Sequence, residues 1–422
     1  MEDGSLARFL EGVEVEEIPG EVSREYEVAR IISEWQGKGP AIVFRIRGLR
    51  QMSASNLIDT RSKLYNALGV GNDIEAYNKL LQAQKGGGDL AWEGAPKLVE
   101  APEGLLSLPA AKFYEGEGGL YISSSIFIAC RGGICNSSIH RMMVVDRGEA
   151  RVRIVPRHLY KLYKDAVDSG EDLPVTIIIG VNPVIMLASA LTPPLGIFEL
   201  GIAARLLGGL RVYESPLHGN PVPVGAAAVV EGRLTRRLGD EGPYVDALMT
   251  YDRVRKQPVL VVDRVYLNPD ELTHVILSGG LEHVMLMGFP REAQIWDSVS
   301  RVVPRVYKVR LTPSSGGWLH AVVSIEKNHD GDGKNAIMAA FSGHPSLKHV
   351  VVVDGDIDPD DPAQVEWAIA TRFQADKDLV LIRNARGSTL DPSADNGLTS
   401  KMGIDATVPI SRRSMFRRGR IP

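Results

Sequence analysis

Asp240-Glu241-Gly242-Pro243-Tyr244-Val245-Asp246 is the stretch around which the rest of the chain reads. Glu241 and Asp246 stand five residues apart, an odd spacing that sends side chains to opposite faces of a straight strand. The Gly242-Pro243 pair argues against a straight strand and for a bend that brings both carboxylates to one cleft. Paired carboxylates in unlike surroundings take unlike jobs. One beside an arginine stays charged; one against apolar walls keeps a proton and can donate it. The same residues also read as a plain surface turn between two strands, so the decision falls to their context.

That context is β-rich. Working outward, short apolar runs at 120–128, 142–145, 150–155, 175–179, 222–231 and 257–267 are separated by Gly, Pro and Asp turns. They predict a β-barrel or strongly bent sheet over residues 110–303. Before it, helical periodicity at 25–36, 57–68 and 74–84 around a strand at 41–46 predicts a small α/β lobe over 1–109. Gly86-Gly87-Gly88 ends its last helix and opens a Pro/Gly-rich link. After Pro304, strands at 320–325, 349–354 and 379–382 alternate with helices at 334–342 and 363–373, a layered α/β domain over 304–422. The fold class is mixed α/β.

Composition narrows the function classes. The 422 residues, 44% hydrophobic and 24% charged, are too many for one core and suit a soluble globular protein. A net charge of −4 gives no field for nucleic acid. The basic tail Ser411–Arg420 reads as solvated or subunit-contacting. The apolar stretch 175–198 is cut by Asn182-Pro183 and Pro193-Pro194, so it reads as a strand and a short helix, not a membrane span. The acidic, amphipathic start is no signal peptide. Two cysteines, Cys130 and Cys135, suit a reducing cytosol and exclude a disulfide framework. A cytoplasmic protein is expected.

Several polar residues punctuate the central region. Gly132-Gly133 before Asn136-Ser137-Ser138 offers backbone N–H groups and hydroxyls to a phosphate or flavin edge, or simply makes a Ser-rich hairpin. His158 sits where a strand gives way to a helix, and Glu199 at a helix start. If Asn136, His158 and Glu199 converge, amide oxygen, imidazole and carboxylate form a set suited to Mn²⁺ or Mg²⁺ holding a phosphate oxygen. The acidic run Asp354–Asp361 fails as an EF-hand, with Pro359 at the sixth position and Val365 at the twelfth; it reads as a loop capping the next helix.

Taken in order, Asn136-x-x-Ile139-x-Arg141, Pro156-x-His158, Gly196-Ile-x-Glu199 and Glu241-Gly-Pro-x-x-Asp246 resemble the UbiD-like decarboxylases. The likeness continues through Glu282-His283, Gly288-x-Pro290-x-Glu292, His349–Asp354, Ala370–Asp376 and Lys401–Thr407. It implies an N-terminal α/β lobe, a central split β-barrel like that of flavin reductases, and a C-terminal α/β domain that helps build a homo-oligomer, dimer or higher. It implies prenylated FMN, made by a partner flavin prenyltransferase. By position, Asn136, His158 and Glu199 resemble ligands of a Mn²⁺ on the cofactor phosphate, and Arg141, Glu241 and Asp246 the catalytic network. Ser138, Ile139, Arg141, Arg157, Ala190, Leu191, Glu199 and Lys401 would bind the cofactor. A K⁺ near Ser137, Ala188, Ser189 and Leu191 is implied too.

The chemistry suits these residue types: losing CO₂ needs an electron sink that side chains lack, an arginine for the carboxylate, and an acid to protonate the vacated carbon. The short chain and close-set central domain resemble the archaeal branch, which implies conversion of trans-anhydromevalonate 5-phosphate to isopentenyl phosphate. Arg157 and His140, which depart from much of the family, are expected to add cations for a phosphorylated substrate. The rival readings are an aromatic, 4-hydroxybenzoate-type acid decarboxylase and a flavin reductase or flavin-binding protein.

Overall fold

Gly132 and Gly133 both take positive φ, 58° and 77°. Two such residues make the tight turn whose twist matches a hairpin. They join the Ile126–Arg131 and Ile134–Ile139 strands, so the glycine pair serves the hairpin. This hairpin ends a nine-stranded sheet in a computed structural model that describes residues 1–416 and 419. The sheet's longest members, Ala228–Glu241 and Arg255–Leu267, pair antiparallel with register shifts between Glu231 and Gly232 and between Leu234 and Leu238. Such irregularities bend and twist a strand pair. The close pairing needs Gly232: a Cβ there would lie 2.5 Å from the Val261 carbonyl oxygen.

The run expected over 120–128 is two strands, Leu120–Ile122 and Ile126–Arg131. Ser123 and Ser124 interrupt it because their hydroxyls engage elsewhere: Ser123 accepts from the Ile276 N–H and Ser124 donates to the His274 carbonyl. The sheet encloses a core of Phe127, Val175, Ile177, Val230 and Leu260, against which Leu159, Leu162 and Ala166 of the His158–Asp168 helix pack. Burial of such side chains stabilises by about 1.5–3 kcal/mol each.

The cysteines correct the reading from composition. Cys130 and Cys135 form a disulfide. The two-residue turn makes them direct cross-strand partners with Cα atoms 4.1 Å apart, which their sequence spacing alone does not reveal.

The chain divides into two units, residues 1–71 with 79–286, and residues 72–78 with 287–422. The first also holds a four-stranded sheet built on Val15–Val22 and Ala41–Ile46, with the Glu27–Trp35 helix over it. The second is a five-stranded sheet in the order Arg305–Leu311, His320–Glu326, His349–Asp354, Leu398–Ala406, Leu379–Arg386, parallel at its centre and antiparallel at both edges. The Asp332–Gly343 helix covers one face and Pro362–Arg372 the other. Asp361 caps the latter through the Ala363 and Gln364 N–H groups. No helix among the described residues is long and apolar enough to cross a membrane. Of the basic tail, Arg417, Arg418 and Arg420 lie outside the described residues.

Candidate active site

Arg141 follows the Ile134–Ile139 strand and is the hub of the site. Its Nε and Nη2 donate to the two oxygens of Glu241, at 2.8 and 3.1 Å, a fork-on-fork pair. Nη1 donates to Asp246 Oδ2 at 2.8 Å, and Nη2 also to Asp252 Oδ2 at 3.0 Å. Glu241 ends its strand, the Gly242–Pro243 peptide is cis, and Tyr244-Val245 pairs with Tyr251-Asp252. That fold-back brings all three carboxylates to one guanidinium. The Tyr244 ring lies under it, 4.2 Å from the guanidinium carbon, and packs at a tilt against the Tyr121 ring.

Glu241 is wholly buried and the Arg141 side chain is 9% exposed. Burial opposes the arginine's charge, yet Glu241 and Asp246 outweigh it and hold the guanidinium above its ordinary pKa. Asp252 is held below the carboxylate range despite burial, because Arg255 and Arg141 donate to it. Arg153 lies 3.5 Å from the same carboxylate. Three guanidiniums thus face three carboxylates, the balance a buried ionic cluster needs. Asp252 was not legible beforehand, since its approach depends on the two-residue pairing with Tyr244-Val245; the flanking Arg253 and Arg255 were the only signal. His283 is legible in the sequence only as part of the Glu282-His283 motif. It is half-buried, its Nδ1 accepts from the Gly279 N–H, and desolvation lowers its pKa while the charges of Asp246 and Arg141 act on it in opposite directions.

A second constellation involves the other side of the same strand. Glu199, first residue of the Glu199–Leu207 helix, is 2% exposed. It accepts from Asn136 Nδ2 at 2.9 Å and from the Ser137 N–H at 2.7 Å, and His158 Nδ1 is 3.7 Å away. His158 opens its own helix and Arg157 is the N-cap, its Nη1 donating to Thr192 at 3.0 Å. Gly88 lets the chain lie flat on the Glu199 helix: its N–H donates to the Gly201 carbonyl, and a Cβ there would lie 2.5 Å from the Arg205 nitrogen. Asn136, His158 and Glu199 therefore come together around a buried carboxylate. Among the described residues no three His, Cys, Asp or Glu side chains are grouped to hold a metal, because the third donor here is an amide.

Ser138 bridges Asn136 Oδ1 at 2.8 Å and His140 Nε2 at 2.9 Å, and Ser137 Oγ meets Ser189 Oγ at 2.9 Å. Ile139 is half-buried, and Ala190 and Leu191 end the Pro183–Ala190 helix. His140 does not supply the cation expected of it. Burial pushes it down to about 4, and both ring nitrogens are engaged within the protein. Lys401 belongs to the second unit, where its ammonium donates to the carbonyls of Pro345 and Leu347.

Three domains of 3-octaprenyl-4-hydroxybenzoate carboxy-lyase match this chain: the N-terminal domain over residues 7–84, the Rift-related domain over 95–281 and the C-terminal domain over 284–406. Anhydromevalonate phosphate decarboxylase of Aeropyrum pernix is 60% identical, covering 100% of this chain and 97% of its own. The protein of that name from Methanocaldococcus jannaschii is 40% identical over 94% and 96%. HmfF, a UbiD-class enzyme of Pelotomaculum thermopropionicum solved in complex with FMN, has a TM-score of 0.94 at 35% identity and covers 99% of this chain and 96% of its own. An evolved dimeric form of HmfF in complex with prFMN gives 0.90 at 33% identity, covering 99% and 97%. On these matches the chain belongs to the UbiD family of carboxy-lyases.

Proposed function

We propose that this chain removes CO₂ from an α,β-unsaturated acid with prenylated FMN, and that the acid is trans-anhydromevalonate 5-phosphate, giving isopentenyl phosphate. The observation that carries the reading is the buried fork of Arg141 on Glu241 with Asp246 beside it. The relatives at 60% and 40% identity, each an anhydromevalonate phosphate decarboxylase, support the choice of acid. When bound, the cofactor supplies the sink for the electron pair left on carbon as CO₂ departs, which no side chain offers. Arg141 has five N–H groups, and four are spent on its carboxylates; one on Nη1 is left for the substrate carboxylate. Glu241 fixes the guanidinium plane, and Asp246, part-exposed, takes a proton from solvent and delivers it to the vacated carbon.

Mn²⁺ is assigned to Asn136, His158 and Glu199, where it would tie the cofactor phosphate to the protein. A buried carboxylate with a histidine nitrogen 3.7 Å away fits a divalent ion, and the mixed oxygen and nitrogen set fits a hard-to-borderline one. Ser138, Ile139, Arg157, Ala190 and Leu191 would line the flavin. K⁺ would sit near the carbonyl end of the Pro183–Ala190 helix, beside Ser137, Ala188, Ser189 and Leu191. We read the nine-stranded sheet as the flavin-reductase-like barrel and the C-terminal domain as the oligomerising one. Its edge strand Leu379–Arg386 exposes Leu379, Leu381 and Ile382, which suits a second copy.

The test uses protein co-produced with a flavin prenyltransferase. Glu241→Gln should lose at least about 100-fold in decarboxylation while keeping its flavin absorbance. Flavin reduction by a nicotinamide that survives the substitution, with no CO₂ released by the wild type, would favour a flavin reductase.

A further inference from the structure

Side chains alternate along a strand, so Asn136 and Ser138 share one side of the Ile134–Ile139 strand and His140 continues the series just past its end. The three are linked: Asn136 Oδ1 to Ser138 Oγ at 2.8 Å, and Ser138 Oγ to His140 Nε2 at 2.9 Å. His140 Nδ1 lies 3.0 Å from the Arg153 carbonyl oxygen. A carbonyl only accepts, so Nδ1 carries the proton of the neutral ring and Nε2 presents a lone pair. The ring is 8% exposed and packs edge-on against Phe127, consistent with the neutral form.

The orientation of Asn136 is fixed from its other end. Its Nδ2 donates to Glu199 Oε1 at 2.9 Å, which turns Oδ1 toward Ser138. The Ser138 hydroxyl has a single proton and faces two acceptors. An amide oxygen that already accepts an O–H offers less electron density to a cation on its other lone pair. The hydroxyl proton therefore competes with a metal for Asn136 and has His140 as its alternative home.

We propose that His140 is a positioning residue for the divalent-ion site: it draws the Ser138 proton away from Asn136 Oδ1 and so leaves that oxygen to the ion. The inference rests on the assignment of Asn136, His158 and Glu199 as the ligand set. Ser138 acts as a hydroxyl with two settings, turned to Asn136 without the ion and to His140 with it. No bond is made or broken; one hydrogen bond changes acceptor.

The experiment is a calorimetric titration of the purified full-length chain with Mn²⁺ alone. The variants are His140→Phe, which keeps a ring against Phe127, Ser138→Ala, and the two combined. His140→Phe should weaken Mn²⁺ binding about 5- to 10-fold, the effect of one misdirected hydrogen bond behind a ligand. Ser138→Ala should bind no more weakly than wild type, and the double variant should return to within about twofold of it. A double variant as weak as His140→Phe would show a packing role only and overturn the proposal, as would His140→Phe binding like wild type. If His140→Phe does not fold, Ser138→Ala decides alone, and weaker binding there overturns the idea. Wild-type protein whose Mn²⁺ affinity is unmoved by Glu199→Gln would instead remove the ligand assignment, and the proposal with it.

Discussion

Arg141 shows how much one residue's hydrogen-bond inventory decides. Glu241 and Asp246 were legible as a pair because a Gly-Pro bend between two acids is hard to place on a straight strand. Asp252 was not, since only the folded loop reveals that it shares Nη2 with Glu241. Asp252→Asn removes a charge-assisted bond of about 1.5–3 kcal/mol and leaves Arg141 free to tilt. Steady-state kinetics should show kcat/KM lower by about tenfold or more with the flavin still bound; unchanged kinetics would mean Glu241 alone sets the guanidinium. Asp246→Asn keeps the shape but carries no transferable proton. Its kcat should fall about 10²- to 10⁴-fold, and an undiminished rate would strip Asp246 of the acid role.

At the scale of elements, the hairpin of Ile126–Arg131 with Ile134–Ile139 presents both constellations, one on each side of its second strand. Its Gly-Gly turn was legible as one of two readings, and the disulfide beside it was misread, because pairing across a hairpin depends on register and not on cysteine count. The crosslink sits one residue before Asn136, so it closes the hairpin next to a proposed metal ligand. The double variant Cys130→Ser/Cys135→Ser should cost about 2 kcal/mol in a denaturant titration, the chain-entropy value for so short a loop. A midpoint equal to wild type would mean that the sheet alone holds the hairpin. The helix starts at His158 and Glu199 were placed by their sequence signals, whereas the support of the Glu199 helix by Gly88 depends on a close approach that no local pattern announces.

Across the whole molecule, alternation of strands and helices made the α/β class and the C-terminal layered sheet readable, while the pairing order of the nine-stranded sheet came only from the fold. Burial also shapes the response to acid. His140 and His320 are each pushed down to about 4 by desolvation, below the ordinary 6.5. The unfolded chain then takes up protons first, so stability is full above about pH 6.5 and falls as the pH drops toward 4. For His140 the loss is on the order of 3 kcal/mol. Unfolding midpoints from pH 7.5 to 4.5 should fall less steeply for His140→Phe than for wild type, and parallel curves would contradict the buried neutral ring. Holoprotein given trans-anhydromevalonate 5-phosphate in D₂O should yield isopentenyl phosphate with one deuterium at the carbon that lost CO₂, read by NMR. Intact substrate beside a spectroscopically mature cofactor would contradict the assignment.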